Sequence, residues 1–176
     1  AFSHLTDQII ETGQKIAEAF NIQTSPMIME FVIDKDEKLF LLESVPEFGG
    51  EFIPDVMIPA ATGYNHIRNS INASTGINFR EPGKKFLNVP VVVKYITGEH
   101  GILASCNTDT VKKLNGIIFS RIFKDIGANI SPPASNHDRL GVIVAKGKTL
   151  EDAIEIAEFA ESKMNIRIRK NETNEN

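Results

Sequence analysis

Two glutamates stand where a carboxylate has little reason to be. Glu30 interrupts "MIMEFVID" (27–34), and Glu43 ends the apolar run Leu39-Phe40-Leu41-Leu42. Apolar side chains on both faces of an extended segment are how a strand covered on both sides reads. Glu43 is therefore expected to be buried, where an ionised group needs a cation, a metal or several donors to meet it. The polar "DKDEK" between the two segments reads as a turn, and the segments as a hairpin. If the turn is the four residues Lys35 to Lys38, Asp34 pairs with Leu39 and Glu30 lies across from Glu43, with Cβ atoms about 4.5–5.5 Å apart. A three-residue turn sends the two to opposite faces. Carboxylates that close repel each other, whereas Mg²⁺ is commonly held by one or two carboxylates together with substrate phosphates. The plainer reading is that each glutamate pairs with its own lysine or arginine, or lies at a solvated edge.

Other reactive residue types are less well placed. His4, His66, His100 and His137 are far apart and lack the i, i+4 spacing of metal ligands. Ser131, Ser135 and His137 lack the Gly-x-Ser-x-Gly elbow of a serine nucleophile, and "TGEHG" and "FGGE" lack the lysine and spacing of a phosphate-binding loop. They read as turns. The single cysteine, Cys106, reads as a small core or strand residue and cannot form an intramolecular disulfide.

The elements that must carry the glutamates follow from periodicity. Leu5, Ile9, Ile16 and Phe20 make one stripe of a helix over about 4–20, with Ser3 or Thr6 as cap. After the two strands, 45–58 reads as a loop, and Tyr64, Ile67 and Ile71 fall at helical spacing before Gly76. A linker-like stretch (78–85) leads to strands at 89–97 and 101–106, a short helix at 108–114, a strand at 116–124, a Pro-Pro loop at 131–135 and a strand at 140–146. A helix at 149–164 follows, with Thr149 and Asp152 at capping-box spacing and Ala153, Ile154, Ala157 and Ala160 as its apolar face, then a short final strand. The expected class is α+β: residues 1–80 as one part, 81–170 as a small second lobe, and 171–176 as a frayed tail.

At 176 residues, 41% hydrophobic and 24% charged, the chain has the composition of a globular domain. Its net charge of −4 gives no electrostatic reason to expect a nucleic acid or a membrane surface as partner. Without a signal peptide or a long apolar span, the cytoplasm is the expected compartment. A chain that starts at Ala1 and enters a helix almost at once is expected to be a processed protein or a fragment of a longer one.

Residues 25–76, with Glu30 and Glu43, the Gly49-Gly50 turn and Ala61-Thr62-Gly63, resemble the last part of an ATP-grasp domain, the superfamily of biotin carboxylase, carbamoyl-phosphate synthetase and the L-amino acid ligases. Residues 100–168 resemble the C-terminal subdomain of ATP-grasp carboxylate-amine ligases. That likeness rests on Gly101, Pro132-Pro133, Arg139-Leu140-Gly141 and Gly147-x-Thr149-x-x-Asp152-Ala153. The resemblance implies an antiparallel sheet with flanking helices followed by a small lobe. It also implies ATP and Mg²⁺ as cofactors, Glu30 and Glu43 as magnesium ligands beside the phosphates, and Gly49, Gly50 and a catalytic Arg68 lining the acceptor side. The substrates it implies are a small carboxylate and an amine, joined through an acyl phosphate.

The N-terminal half of an ATP-grasp enzyme, with its lysine-bearing lid, has no counterpart in this sequence. The implied partner is that half, on the same chain or another, with a homodimer as a further expectation. Two positions depart from the family pattern Glu-x-Asn-x-Arg: Val45 stands at the asparagine and Glu47 at the arginine. Either the loop is shifted in register and another cation, Arg68 or Arg80, serves the site, or the chain is a degenerate module that binds a ligand or partner without catalysis. A scaffold subunit completing a site on another chain is a third reading.

Overall fold

A computed structural model of the protein describes residues 3–77 and 87–170. The linker-like stretch, Arg80 and the expected tail lie outside the described residues. The chain forms two compact units: one runs to Pro54 and resumes at Asn65, and the other takes Asp55–Tyr64 together with the residues from 87 on.

In the first unit, helix α1 spans Thr6–Ala19 after a 3₁₀ turn at Ser3–Leu5. Its N-cap is Leu5, which makes no side-chain cap, so the cap is neither Ser3 nor Thr6 as expected. Its C-terminus closes as a Schellman motif, with Asn21 at φ +52° and Ile22 N–H donating to Ala17 O at 2.8 Å. Phe20 is thereby carried off the helical stripe, and it is 75% exposed. Strands β1 (Ile28–Ile33) and β2 (Leu39–Val45) form an antiparallel hairpin that is a two-stranded sheet by itself. Gly13 of α1 is buried against it, and a Cβ on Gly13 would lie 2.8 Å from Met29 Cε. The helix therefore covers the hairpin face that bears Met29.

Helix α3 (His66–Ser74) starts two residues later than expected, beyond Tyr64, because Asn65 caps it by accepting from Arg68 N–H at 2.9 Å. Between the units' segments, the expected loop at 45–58 contains a π-helical turn (Ile53–Met57) that leads into the short helix α2 (Ile58–Thr62).

In the second unit, β3 (Val91–Ile96), β7 (Gly141–Lys146) and β5 (Ile117–Ile122) form one antiparallel sheet in the order β3-β7-β5. A second sheet has the order β6-β4-β8, with β4 at Gly101–Ser105, β6 at Asn129–Ile130 and β8 at Arg167–Arg169. Strand β6 escapes a reading by pattern because two residues carry no periodicity. The helix expected at 108–114 is a single 3₁₀ turn, Val111–Lys113.

Helix α4 (Leu150–Lys163) packs against the first sheet through Ala153, Ala157 and Ala160, all buried. Thr149 accepts from Asp152 N–H at 3.1 Å, and the Asp152 carboxylate reaches one residue past the cap to Lys148 N–H at 2.7 Å. Ile154 is 42% exposed, so the fourth expected member of the apolar face lies outside it, and the partly buried Ile156 packs against the core instead. Small residues let the helix sit close: a Cβ on Gly147 would come within 2.4 Å of Ala153 N. The core is continuous through Ile96, Leu103, Leu140, Ile143 and Met164. Mixed helix with antiparallel sheet is the α+β class expected. No helix among the described residues is long and apolar enough to cross a membrane.

Candidate functional site

The hairpin register brings the two glutamates together. Glu30 and Glu43 are direct partners, but the turn is not the four-residue one expected: Ile33 pairs with Leu39, which leaves five residues, Asp34 to Lys38, in the turn. Asp34 shapes it by accepting from Asp36 N–H at 2.9 Å and Lys38 N–H at 2.8 Å. A five-residue turn alone would set Glu30 opposite Leu42. A β-bulge corrects this, since Phe31 pairs with Leu41 and Glu30 with Glu43, leaving Leu42 unpaired.

Partners share a face, so Glu30 and Glu43 lie with Val32–Phe40 and Ile28–Val45 on the face opposite the one α1 covers. The burial expected for Glu43 is absent. Both glutamates are exposed, and Val32 and Phe40 beside them are 49% and 48% exposed. The strand is thus covered on one face rather than two. The glutamates have no hydrogen-bond or ion-pair partner among the described residues, so the reading in which each meets its own lysine or arginine does not apply there.

The loop after β2 returns to this face. Gly49, at φ +74°, backs onto Ile28, and a Cβ there would lie 2.6 Å from Ile28 Cδ1. Ile28 is the residue before Glu30 on the same face, so only glycine lets the loop approach so closely. Gly50 is exposed, and a Cβ on it would meet nothing within 4 Å. Phe48 meets His66 edge to face at 5.4 Å, tying the loop to the first turn of α3. Arg68 lies in that turn, exposed, with no hydrogen bond or ion pair to Glu30, Glu43 or Glu47. Glu47 is exposed on the loop, where its N–H donates to Val45 O at 3.0 Å.

Two other groups resolve into structure. The Ser135 hydroxyl is held by the Asp138 carboxylate at 3.0 Å and accepts from His137 N–H at 3.3 Å, so it caps a 3₁₀ turn instead of acting as a nucleophile. The Ser135 hydroxyl, followed by the Ser135 and Ala134 N–H groups donating at 2.8 and 3.1 Å, holds the Asp138 carboxyl below its ordinary pKa. Arg139 stacks on Tyr95 at 3.5 Å. Among the described residues no three His, Cys, Asp or Glu side chains gather as a metal cluster.

The fold these elements make is shared with solved synthetases, ligases and carboxylases. Residues 94–169 match the family model of the L-amino acid ligase C-terminal domain 2. Among solved structures, phosphoribosylglycinamide synthetase from Anaerococcus prevotii superposes with a TM-score of 0.77 at 19% identity over 93% of this chain and 43% of that one. L-amino acid ligase from Bacillus licheniformis gives 0.74 at 16% identity over 96% of this chain and 42% of that one. Biotin carboxylase from Campylobacter jejuni gives 0.72 at 17% identity over 96% and 37%. The chain thus spans less than half the length of the proteins it superposes on. No curated protein sequence matches it.

Proposed function

We propose that this chain is the C-terminal part of an ATP-dependent carboxylate-amine ligase, in which Glu30 and Glu43 hold Mg²⁺ against the nucleotide phosphates. The observation that carries the reading is the carboxylate pair, in register on the exposed face of the hairpin and without a partner among the described residues. Two carboxylates with room for phosphate and water oxygens suit a small, hard cation that keeps several waters. Bound there, the ion would supply charge neutralisation for phosphoryl transfer to a carboxylate.

The chain's own residues position the partners of that transfer. The bulge at Leu42 keeps Glu43 on the face of Glu30, Val32 and Phe40 offer an apolar surface beside the pair, and Gly49 admits the loop. Gly50 and Arg68 would line the acceptor side, where an amine attacks the acyl phosphate and phosphate leaves. The rest of an ATP-grasp fold, on this chain or another, would supply the lid and adenine pocket. A division near residue 80, with Asp55–Tyr64 falling to the second unit, and a cytoplasmic setting belong to the same proposal.

Glu47 favours a second reading, a module that binds a ligand or partner without catalysis. It puts an exposed anion, without an ion pair among the described residues, where the ligases that this chain resembles carry a cation.

Mn²⁺ in place of Mg²⁺ tests the metal site. Titrated into the chain with ADP, it should broaden the amide NMR signals of Glu30 and Glu43 before all others, and Glu30→Gln or Glu43→Gln should abolish the effect. Broadening that is absent from the hairpin, or that survives both substitutions, rejects the assignment.

A further inference from the structure

The second unit holds an open cleft of about 430 Å³ that the ligase reading does not use. Val56, Pro59, Ala60, Ile118 and Phe119 form its apolar lining, and Asp55 and Lys146 are its two charged side chains. Both walls are built from backbone irregularities. Ile118 and Phe119 are consecutive and in a regular strand would face opposite ways. Both reach the cleft because β5, an edge strand, bulges there: Ile117 pairs with Ala145 and Phe119 with Val144, leaving Ile118 out of the ladder. Across from them Asp55 and Val56 sit in the π-helical turn, a geometry that recurs where a helix presents groups to a ligand.

Asp55 and Lys146 are exposed, and neither side chain has a hydrogen bond or ion pair among the described residues. They line one cleft, yet their charged atoms do not approach within the 4.0 Å of a salt bridge. A carboxylate and an ammonium that share an apolar cleft without pairing complement a ligand of inverse pattern. We propose that this cleft binds a small zwitterion, its ammonium toward Asp55, its carboxylate toward Lys146 and its hydrocarbon body on Ile118, Phe119 and Pro59. A ligand with one charge meets only half of the site, and exposed single ion pairs contribute little.

The probes are 6-aminohexanoate, hexanoate and hexylamine, titrated into the chain while the Ile118 and Phe119 amide signals are followed by NMR. The zwitterion is expected to give saturable shifts in the millimolar range, with hexanoate and hexylamine about two- to fivefold weaker. Asp55→Asn and Lys146→Gln should each weaken the zwitterion by about two- to fivefold and leave Mn²⁺ broadening at Glu30 and Glu43 unchanged, which separates this site from the ligase reading. The probe series on the unsubstituted chain stands by itself should a variant misfold. Equal affinity for all three probes, no saturation by about 20 mM, or variants that bind 6-aminohexanoate as the parent does would each overturn the proposal.

Discussion

Glu43→Gln should change the sign of its effect on stability when Mg²⁺ is added. Without metal, Glu30 and Glu43 face each other across one ladder position on an exposed face, with no ion pair to a cation among the described residues. Unit charges about 5 Å apart in water repel by about 0.8 kcal/mol. At about 0.15 M salt, where the Debye length is about 8 Å, roughly half of that remains, and the two side chains can splay to reduce it further. The glutamine variant should therefore be more stable than the parent by up to about 0.8 kcal/mol at low ionic strength, and by about 0.4 kcal/mol or less at physiological salt.

With metal the order reverses. A site with a Kd of about 1 mM gains about 1.4 kcal/mol from about 10 mM Mg²⁺, and the variant should forfeit most of it. The chain has no tryptophan, so urea unfolding is best followed by circular dichroism, at two ionic strengths, with and without Mg²⁺. A variant less stable than the parent in metal-free, low-salt buffer would show that the carboxylates do not confront each other. A crossing that fails to appear on adding Mg²⁺ would show that they do not share an ion.

Three further outcomes are expected. Gly147→Ala should destabilise by about 1–3 kcal/mol in urea unfolding, because its Cβ would come within 2.4 Å of Ala153 N and force α4 off the sheet; an unchanged midpoint would mean that the helix shifts freely. Asp138→Asn should be less stable than the parent at neutral pH. Because the folded carboxyl titrates below its unfolded value, its contribution is complete above that ordinary value near 3.9 and is lost as pH falls through the lower folded pKa, so the two unfolding midpoints should converge in acid. A gap that persists or widens there would contradict the capping role. In the protein that carries the complete nucleotide site, Glu47→Arg should tighten Mg·ATP by calorimetry, with a gain that shrinks as salt is added, while equal affinities would mean that Glu47 does not face the phosphates.

The sequence by itself determined what neighbours in the chain can encode. The period of α4 and the Thr149–Asp152 spacing specified a capped helix, since a cap is satisfied within one turn. The apolar segments at 27–34 and 39–42 marked two strands, and the polar turn between them marked a hairpin. Tertiary structure decided what depends on partners distant in sequence. The register of Glu30 with Glu43 followed from a bulge at Leu42 compensating a five-residue turn, two irregularities that no local pattern announces. Exposure of Glu43 depended on which face α1 covered: the Leu39–Leu42 run reads alike whether one face or two are packed. The cleft between Asp55 and Lys146 joins residues 91 positions apart through a π-helical turn and a second bulge. Side-chain pattern records the period of an element, whereas a shift of one residue in register is set by the packing and hydrogen bonds of the assembled sheet, and that shift chooses which carboxylates meet.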